Sequence, residues 1–433
     1  MMLKKAFGLL CLVLGIRSSH PEIQQLPSLR EQAKIQDGWR KERLATIPAI
    51  LRNHGVDAWI ISQREYGEET VFWSMKYAEQ FSARRRTLSI FFADDSFEGC
   101  QSHTWIDNTP KLWQNLHNVL RFCDPRSIAL NIDSEIAFAG GLHAGEYGKL
   151  LEEVPAPWNE RFVSKPMVAV EYIATMPNSR LHWYRKLMET AWAVIAEGFS
   201  ERIVVPGETT TDDLEWWFRD KLQSLNYTTW FQPDITILTA QEDEDTIQHY
   251  DLLHIDFGLT ALGLNTDTQH LAYVLPPGAS ESDIPSGLLS GLKKGNKLQD
   301  IVRSHMIPGL SGNQILSNAL DVMREANISG KIYCHPIGDW GHSAGTLIGM
   351  TNLQDGVPIL GDLPLLKDMY YSVELYVEHW VEERNETIVF PLEEDVFWDA
   401  EKESWEWVWG RQEKFHLVRS KERDEIERLV VQG

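Results

Sequence analysis

Hydrophobic residues in the first part of the chain alternate between helical and strand spacing. Residues 39–54 place their apolar side chains on one face of a helix, and Gly55 follows where that helix should end. Three later apolar runs have the length of short strands, at residues 56–62, 88–92 and 128–132. This alternation predicts a separate α/β domain over residues 35–175.

The second half of the chain begins with a strongly periodic helix from about residue 181. The segment 205–207, which contains Pro and Gly, breaks this pattern, and a second capped helix is expected over residues 212–225. Strand-like runs follow, then helices over about 281–327, then further strands. A second domain of mixed helices and strands is therefore expected.

Two aspartates lie within the apolar strands of this second domain. Asp256 interrupts the run 252–257, and Asp267 follows eleven residues later near the start of the run 265–274. A hairpin formed by the two runs would place these carboxylates side by side. Because buried carboxylates are costly and repel each other, the pair predicts a metal ion between them.

Three further residues with side chains that bind metals occur downstream. They are His342 in the glycine-rich segment 338–345, Glu374 in the strand-like run 370–377, and Glu393 in the run 390–397. Together with the aspartates they provide one imidazole and four carboxylates. Such a set exceeds the needs of one small divalent ion and suits two ions that share carboxylates.

The order Asp, Asp, His, Glu, Glu resembles that of the pita-bread metallohydrolases, which include aminopeptidase P, prolidase, creatinase and methionine aminopeptidase. The spacing of Asp256 and Asp267, the Gly341-His342-x-x-Gly345 segment and the Glu393-Glu394-Asp395-Val396 segment each match a motif of that family. The resemblance covers roughly residues 180–400 well, and the N-terminal half more loosely. It implies an α+β fold in which a smaller α/β creatinase-type domain, residues 35–175, precedes a C-terminal pita-bread domain. This second domain, residues 180–433, would be a curved antiparallel sheet with outer helices.

The resemblance also implies roles for individual residues. The five metal ligands would be Asp256, Asp267, His342, Glu374 and Glu393. Asp267 and Glu393 would bridge two divalent ions, with manganese as the first choice and iron, cobalt or zinc as alternatives. The ions would activate a shared water for attack on a peptide carbonyl, and Glu374 would also carry a proton to the leaving group. A homodimer acting on a small peptide or small-molecule substrate is expected.

Three histidines that surround the metal centre in peptidases of this family are absent from their expected positions. Those positions are Thr239, seventeen residues before Asp256, and Gly338 and Gly349, four before and seven after His342. Outer histidines of this kind hold the substrate and handle protons, so their absence bears on the peptide-bond assignment. The nearby candidates for the missing roles are His335, which we expect to be catalytic, and His254, His249 and Asp339.

Charge limits the classes of partner. The 433 residues carry a net charge of −22, and 43% of them are hydrophobic. A globular protein this acidic repels the phosphate backbone, so no nucleic-acid partner is expected.

The N-terminus has the pattern of a secretory signal. Lys4 and Lys5 precede an apolar run over residues 6–16, and small residues follow at Ser18 and Ser19. The run is too short to cross a bilayer, and no other stretch approaches that length. We therefore expect a signal peptide over residues 1–19, a location in the secretory pathway or outside the cell, and no membrane association afterwards.

Cysteine is rare in this chain. Removal of the signal would also remove Cys11 and leave Cys100, Cys123 and Cys334. At most one disulfide can then form, and Cys100–Cys123 is the natural candidate.

Three functions remain open at this point. The first is a binuclear metallohydrolase resembling Xaa-Pro aminopeptidase or dipeptidase. The second, motivated by the absent outer histidines, is a non-peptide enzyme on the same site: a creatinase-like C–N hydrolase, a lyase or a tailoring enzyme for a small metabolite. The third is a non-catalytic scaffold, against which the five retained ligands argue.

Overall fold

The computed structural model describes residues 20–93, 100–239 and 244–419. The predicted signal peptide, residues 1–19, lies outside the described residues. Within them, a five-stranded sheet near the N-terminus is followed by a nine-stranded, curled antiparallel sheet and by helices, as the predicted α+β class requires. No helix in this part of the chain has both the length and the hydrophobicity needed to cross a membrane.

The N-terminal sheet is mixed. Its five strands in the described residues are β1 (Ala58–Arg64), β2 (Arg86–Phe92), β3 (His103–Ile106), β4 (Ile128–Leu130) and β5 (Phe162–Ser164). The helices of this region are α1 (Leu29–Leu44), α2 (Ile47–Asn53), α3 (Thr70–Met75), α4 (Pro110–Cys123), α5 (Ala144–Glu153) and α6 (Pro166–Ala174). Strand β1 is central, antiparallel to β2 and parallel to β4. Because its side chains alternate between faces, Trp59 packs with α6 whereas Ile60 packs with α4.

The single helix predicted over residues 39–54 is in fact two helices. Helix α1 ends at Leu44, and Thr46 precedes the first residue of α2. Pro48 has no backbone N–H with which to bond the carbonyl of Leu44, so one continuous helix cannot form there. The predicted apolar face is retained in α2, where Leu51 is fully buried.

The predicted disulfide is present. Cys100 and Cys123 are bonded, with their Cα atoms 5.6 Å apart, and join the segment before β3 to the end of α4. Cys334 is buried and has a free thiol, which donates a hydrogen bond to the backbone carbonyl of Glu374.

The C-terminal sheet is the larger unit. Its strands are β6 (Asp234–Ile237), β7 (Leu252–Phe257), β10 (Thr268–Val274), β11 (Ser329–Ile332), β12 (His335–Ile337), β13 (Tyr370–Val381), β14 (Glu386–Asp399), β15 (Ser404–Trp407) and β16 (His416–Val418), and a small separate hairpin consists of β8 (Thr260–Ala261) and β9 (Leu264–Asn265). The strand order is β11-β13-β14-β10-β7-β6, and β12, β15 and β16 pair with β13, β14 and β10. The helices here are α7 (Asn178–Gly198), α8 (Thr211–Ser224), α9 (Ser286–His305) and α10 (Gly312–Glu325).

Helix packing leaves one face of this sheet available for a site. Helices α9 and α10 share a hydrophobic core with β13 and β14, and α7 and α8 share another with β7 and β10. Helix α9 approaches the sheet closely, because a Cβ atom at Gly291 would lie only 2.3 Å from the ring of Phe390. Since side chains on a strand alternate, Leu392 faces the same helix and Glu393 faces the opposite side of the sheet.

The strand predicted over residues 265–274 is interrupted at its beginning. Strand β9 ends at Asn265, and β10 begins at Thr268. Asp267 lies at this break, and its backbone N–H donates to the carboxylate of Asp395 at 3.2 Å. The break moves Asp267 out of the regular strand alternation and beside the neighbouring carboxylates.

Candidate metal centre

The strand register produces a row of polar side chains across four strands of the C-terminal sheet. Asp256 of β7 lies opposite Gln269 of β10. Gln269 also lies opposite Glu393 of β14, which in turn lies opposite Glu374 of β13. Because residues paired directly across strands have their Cβ atoms about 5 Å apart, the row brings three carboxylates together. Asp267 joins them from the break before β10.

Potential ligand atoms form two groups that share Glu393. One group contains Asp267, His335 and Glu393, the other contains Asp256, Glu374 and Glu393, and the ligand atoms of each group lie within 4.8 Å of one another. The Nε2 atom of His335 lies 3.4 Å from Glu393 Oε1, 3.5 Å from Asp267 Oδ2 and 3.8 Å from Glu374 Oε2. All four carboxylates predicted from the sequence are therefore together, and His335 is among them.

The electrostatics of this cluster favour bound cations. Burial raises the pKa of Asp256, Asp267 and Glu374 well above the usual range, and the charge of Glu393 raises each further. One oxygen of Asp256 and one of Asp267 are buried without a hydrogen-bond partner. Carboxylates and imidazole are suitable ligands for divalent transition metals, so the residues fit the two ions expected.

The imidazole in contact with the carboxylates belongs to His335, whereas the sequence predicted His342 as the metal-binding histidine. Among the described residues, His342 is in neither group of potential ligand atoms. Its ring lies 4.7 Å from that of His335, edge to face. The sequence contained a signal for this arrangement, because His342 follows His335 by seven residues, the spacing expected from a ligand histidine to an outer one. If His335 is the ligand, one of the three outer histidines is present after all.

The charge on His335 depends on its neighbours. Burial by itself lowers the pKa of His335, but its contact with Glu393 and the charges of Glu393 and Glu374 raise that pKa to about 9. In the absence of metal, the imidazolium therefore partly compensates the carboxylates. Burial and the neighbouring His335 lower the pKa of His342, so His342 is neutral at pH 7.

The other residues considered for the missing roles differ in their surroundings. His254 lies next to the row, with Nε2 3.0 Å from Oε1 of Gln269. His249 bonds to a backbone carbonyl, and Asp339 forms salt bridges with two arginines. Thr239, at the expected position of the first outer histidine, accepts a hydrogen bond from the backbone at the start of β7. Of these four, His254 alone has a bond to the row.

Gln269 is a residue of the site that the sequence analysis missed. Its Nε2 donates to Glu374 at 2.6 Å and to Glu393 at 3.0 Å, and its Oε1 faces the His254 ring. The side chain is buried, and both ends of its amide have partners. It therefore holds two of the carboxylates in fixed positions. An uncharged amide in a strand carries no sequence signal, and its role became visible only from the strand register.

Asp395 supports the position of Asp267. The hydroxyl of Tyr184 donates to Asp395 at 2.7 Å, and the same carboxylate oxygen accepts the backbone N–H of Asp267. Tyr184 in turn stacks on Tyr370, with ring centroids 4.3 Å apart. Helix α7, which carries Tyr184, is thus connected to the metal centre through one buried carboxyl group.

A second buried chain begins at Glu394. Its Oε1 lies 2.9 Å from Nε2 of His270, and Nδ1 of His270 lies 3.0 Å from Nε2 of His416. Burial lowers the pKa of both histidines to about 3, so both are neutral over the ordinary range of pH. This chain fixes β10, β14 and β16 to one another behind the row.

A cavity of about 410 Å³, here called the metal cavity, opens onto the cluster. Its lining residues include His335, His342, Glu374, Tyr333 and the apolar residues Ile136, Phe138, Leu347, Met350 and Leu360. Ile136 and Phe138 come from the N-terminal part of the chain, so both parts form the wall. Among the described residues that line it, none is Lys or Arg.

Comparisons with known proteins identify the fold. No family model matches the chain, and no curated protein matches it by sequence. Solved structures do match. The X-Pro aminopeptidase from Thermotoga maritima MSB8 is 13% identical, with a TM-score of 0.58, over 86% of this chain and 100% of that one. The Xaa-Pro dipeptidase from Bacillus anthracis is also 13% identical, with a TM-score of 0.55, over 88% and 100%.

A dipeptidase from Mycobacterium ulcerans is similar to the same extent, with 15% identity, a TM-score of 0.54 and coverage of 88% of this chain and 99% of that one. The three likenesses extend over both sheets, and they confirm the predicted pita-bread fold. At such low identities they concern the fold, and the chemistry must be argued from this chain's own residues.

Proposed function

We propose that the protein is a divalent-metal-dependent hydrolase of small peptides, of the aminopeptidase or dipeptidase type. The observation that carries this proposal is the pair of ligand groups sharing Glu393 at the wall of the metal cavity. The structures with the same fold are described as X-Pro and Xaa-Pro peptidases, which supports the substrate class.

The residues that would hold the ions are Asp256, Asp267, His335, Glu374 and Glu393. Glu393, present in both groups, would bridge the two ions, and Asp267 would be the second bridge. Ions bound there would act as Lewis acids, lowering the pKa of water and polarising a substrate carbonyl. Manganese is the metal that we propose, since most of these ligands are carboxylates, and iron, cobalt or zinc are the alternatives.

Two side chains at the metal cavity would handle the substrate and its protons. Glu374 is partly exposed there, and Gln269 holds one of its oxygens. From that position Glu374 would accept a proton from the attacking water and pass it to the leaving nitrogen. Neutral His342 also lines the cavity and would bond to the substrate carbonyl.

The lining of the cavity supports a second candidate, a non-peptide enzyme on the same site. A free dipeptide ends in a carboxylate, which binds best beside Lys or Arg. The described lining residues offer neither, and Leu347, Met350 and Leu360 are apolar. An uncharged small amide would fit this lining, so a creatinase-like C–N hydrolase, a lyase or a tailoring enzyme is the alternative.

The decisive experiment combines metal analysis with turnover. Xaa-Pro dipeptides and their C-terminally amidated counterparts are offered to the protein with manganese, cobalt or zinc, and products are followed by mass spectrometry. We expect cleavage that Glu374→Gln abolishes and that Glu378→Gln, on the same strand, leaves unchanged. Two bound ions without cleavage of any peptide would refute the peptidase and favour the second candidate. Failure to bind metal would refute both.

We also propose that the protein is exported. The Cys100–Cys123 bond supports this, because disulfides persist mainly in oxidising compartments. Terminal sequencing of native protein should find a mature start near Ser19 or His20. An intact Met1 would overturn the proposal.

A homodimer is proposed as well, on the basis of the resemblance to the pita-bread family. Light scattering at micromolar concentration should give twice the mass of one chain. A monomer at that concentration would refute the proposal.

A further inference from the structure

A second cavity lies between the N-terminal part of the chain and the segment that precedes His342. Its volume is about 430 Å³, and we call it the junction cavity; its lining residues are Gln36, Arg40, Trp73, Ser74, Lys76, Ala78, Arg180, Leu262, Gly263, Asp339 and Trp340. The rings of Trp340, which lines this cavity, and Phe138, which lines the metal cavity, are 5.9 Å apart. The two cavities are therefore neighbours with different walls.

Buried charge at the junction cavity is not balanced. Asp339 forms salt bridges with two guanidinium groups, to Arg43 at 2.5 Å and to Arg180 at 2.6 Å. Arg43 is fully buried, and Arg180 is 7% exposed. One carboxylate thus faces two buried positive charges. Arg43 also donates to three backbone carbonyls, so Arg180 is the cation whose charge is less well compensated. Because an uncompensated buried charge costs several kcal/mol, a further anion beside Arg180 is favoured.

Two more cations border the same space. The guanidinium of Arg40 lies over the ring of Tyr77, 3.7 Å from its centroid. This contact is with an aromatic ring and does not neutralise the charge as a carboxylate would. Burial lowers the pKa of Lys76, and the acid whose charge opposes this shift is Asp37. Together with Arg43 and Arg180, four cations surround two carboxylates, in a chain whose net charge is −22.

Arg180 connects this buried charge to the cavity. It lines the cavity and is 7% exposed, although its Nε atom is buried without a hydrogen-bond partner. A guanidinium can only donate hydrogen bonds, so its exposed part needs an acceptor. The excess of positive charge favours an acceptor oxygen that is anionic.

We propose that the junction cavity binds the oxyanion group of a small molecule, either a carboxylate or a phosphate. The cavity is larger than a single phosphate and falls within the usual size of small-molecule sites. Arg180 donates to the anion, and Arg40 and Lys76, which also line the cavity, supply further positive charge. This site is independent of the metal centre and of the reaction proposed there.

The test measures binding of inorganic phosphate and of acetate by calorimetry, in wild-type protein and in variants. We expect Arg180→Met to weaken the bound anion at least about tenfold, the effect of losing one charge-assisted hydrogen bond. The Arg43–Asp339 pair remains in that variant, and Lys76→Met provides a milder second substitution that should also weaken binding. Arg121→Met, on the exposed surface of α4, is the matched control and should bind as wild type does.

A Glu393→Gln variant distinguishes this site from the metal centre. Anion binding that persists in Glu393→Gln and weakens in both junction variants supports the proposal, and the tighter anion then identifies the phosphate or carboxylate class. Binding that is lost in Glu393→Gln but unchanged in Lys76→Met would place the anion on the metals and overturn it. If wild-type protein bound neither anion at about 10 mM, a concentration that fills even a weak site, the proposal would also be overturned.

Discussion

Replacing His335 and His342 separately by Ala tests which of the two histidines binds metal. His335→Ala removes an imidazole that lies within 3.5 Å of both Asp267 and Glu393. His342→Ala removes a ring that contacts His335 and lines the metal cavity. The two substitutions delete the same chemical group at neighbouring positions, so each serves as the control for the other.

The expected magnitudes follow from the composition of the two ligand groups. His335 supplies one of three ligand atoms in its group, whereas the group of Asp256, Glu374 and Glu393 contains no histidine. His335→Ala should therefore lose one of two metal equivalents. His342→Ala should keep both, and its affinity should fall no more than about 10- to 100-fold, the usual effect of a residue that only orients a ligand.

The assay is elemental analysis after dialysis, combined with calorimetric titration of manganese into protein stripped of metal. Circular dichroism confirms that each variant is folded. If His342→Ala lost a metal equivalent while His335→Ala kept two, the distances around His335 would not reflect coordination, and the revised ligand set would be wrong. Loss of both equivalents in His335→Ala would show instead that the two groups do not bind independently.

Three further predictions concern stability. Burial lowers the pKa of His270 and His416 to about 3, so the folded protein keeps both neutral at pH values where the unfolded chain protonates them. The free energy of unfolding should therefore be highest above about pH 6.5. It should fall by about 1.4 kcal/mol per pH unit for each histidine as the pH drops from there toward 3, as measured by urea unfolding. Gln269→Leu removes one hydrogen-bond donor from each of two buried carboxylates, so urea unfolding of metal-free protein should show a loss of about 1–3 kcal/mol. Gly291→Ala places a Cβ atom 2.3 Å from an aromatic ring and should cost about 1–3 kcal/mol in thermal unfolding; Gly148→Ala, with open space around it, should not.

Two carboxylates of the metal centre could be identified from the sequence because each interrupts an apolar strand. The other two, Asp267 and Glu393, were identified from the family motifs that their segments resemble. Asp256 and Glu374 stand among residues that are otherwise buried. A charge at such a position is expensive unless something compensates it. The same reasoning located the strands that carry these two charges. The pita-bread fold was implied by the resemblance of the ligand order and its motifs to that family.

The histidine could not be chosen in the same way, because the one signal for His335 was its seven-residue spacing to His342. His342 lies among glycines, which suggested close approach to a ligand, whereas His335 precedes a proline in the short strand β12. Pairing of β12 with β13 places His335 beside Ser372, whose hydroxyl donates to Glu393. That pairing depends on contacts between distant parts of the chain, which local context does not show. The role of Gln269 could not be predicted for the same reason.

The buried arginines at the junction cavity could not be predicted from the sequence either. Arg43 is as deeply buried as any carboxylate of the metal centre, but it lies on helix α1, where a long polar side chain every few residues is ordinary. Its partner Asp339 is almost three hundred residues away, and Arg180 lies in the first turn of a different helix. A charge inside an apolar strand is visible in a sequence because strands alternate strictly. A charge on a helix becomes informative only when tertiary packing buries it, and for that reason an anion site built from helical arginines had to be found from the structure.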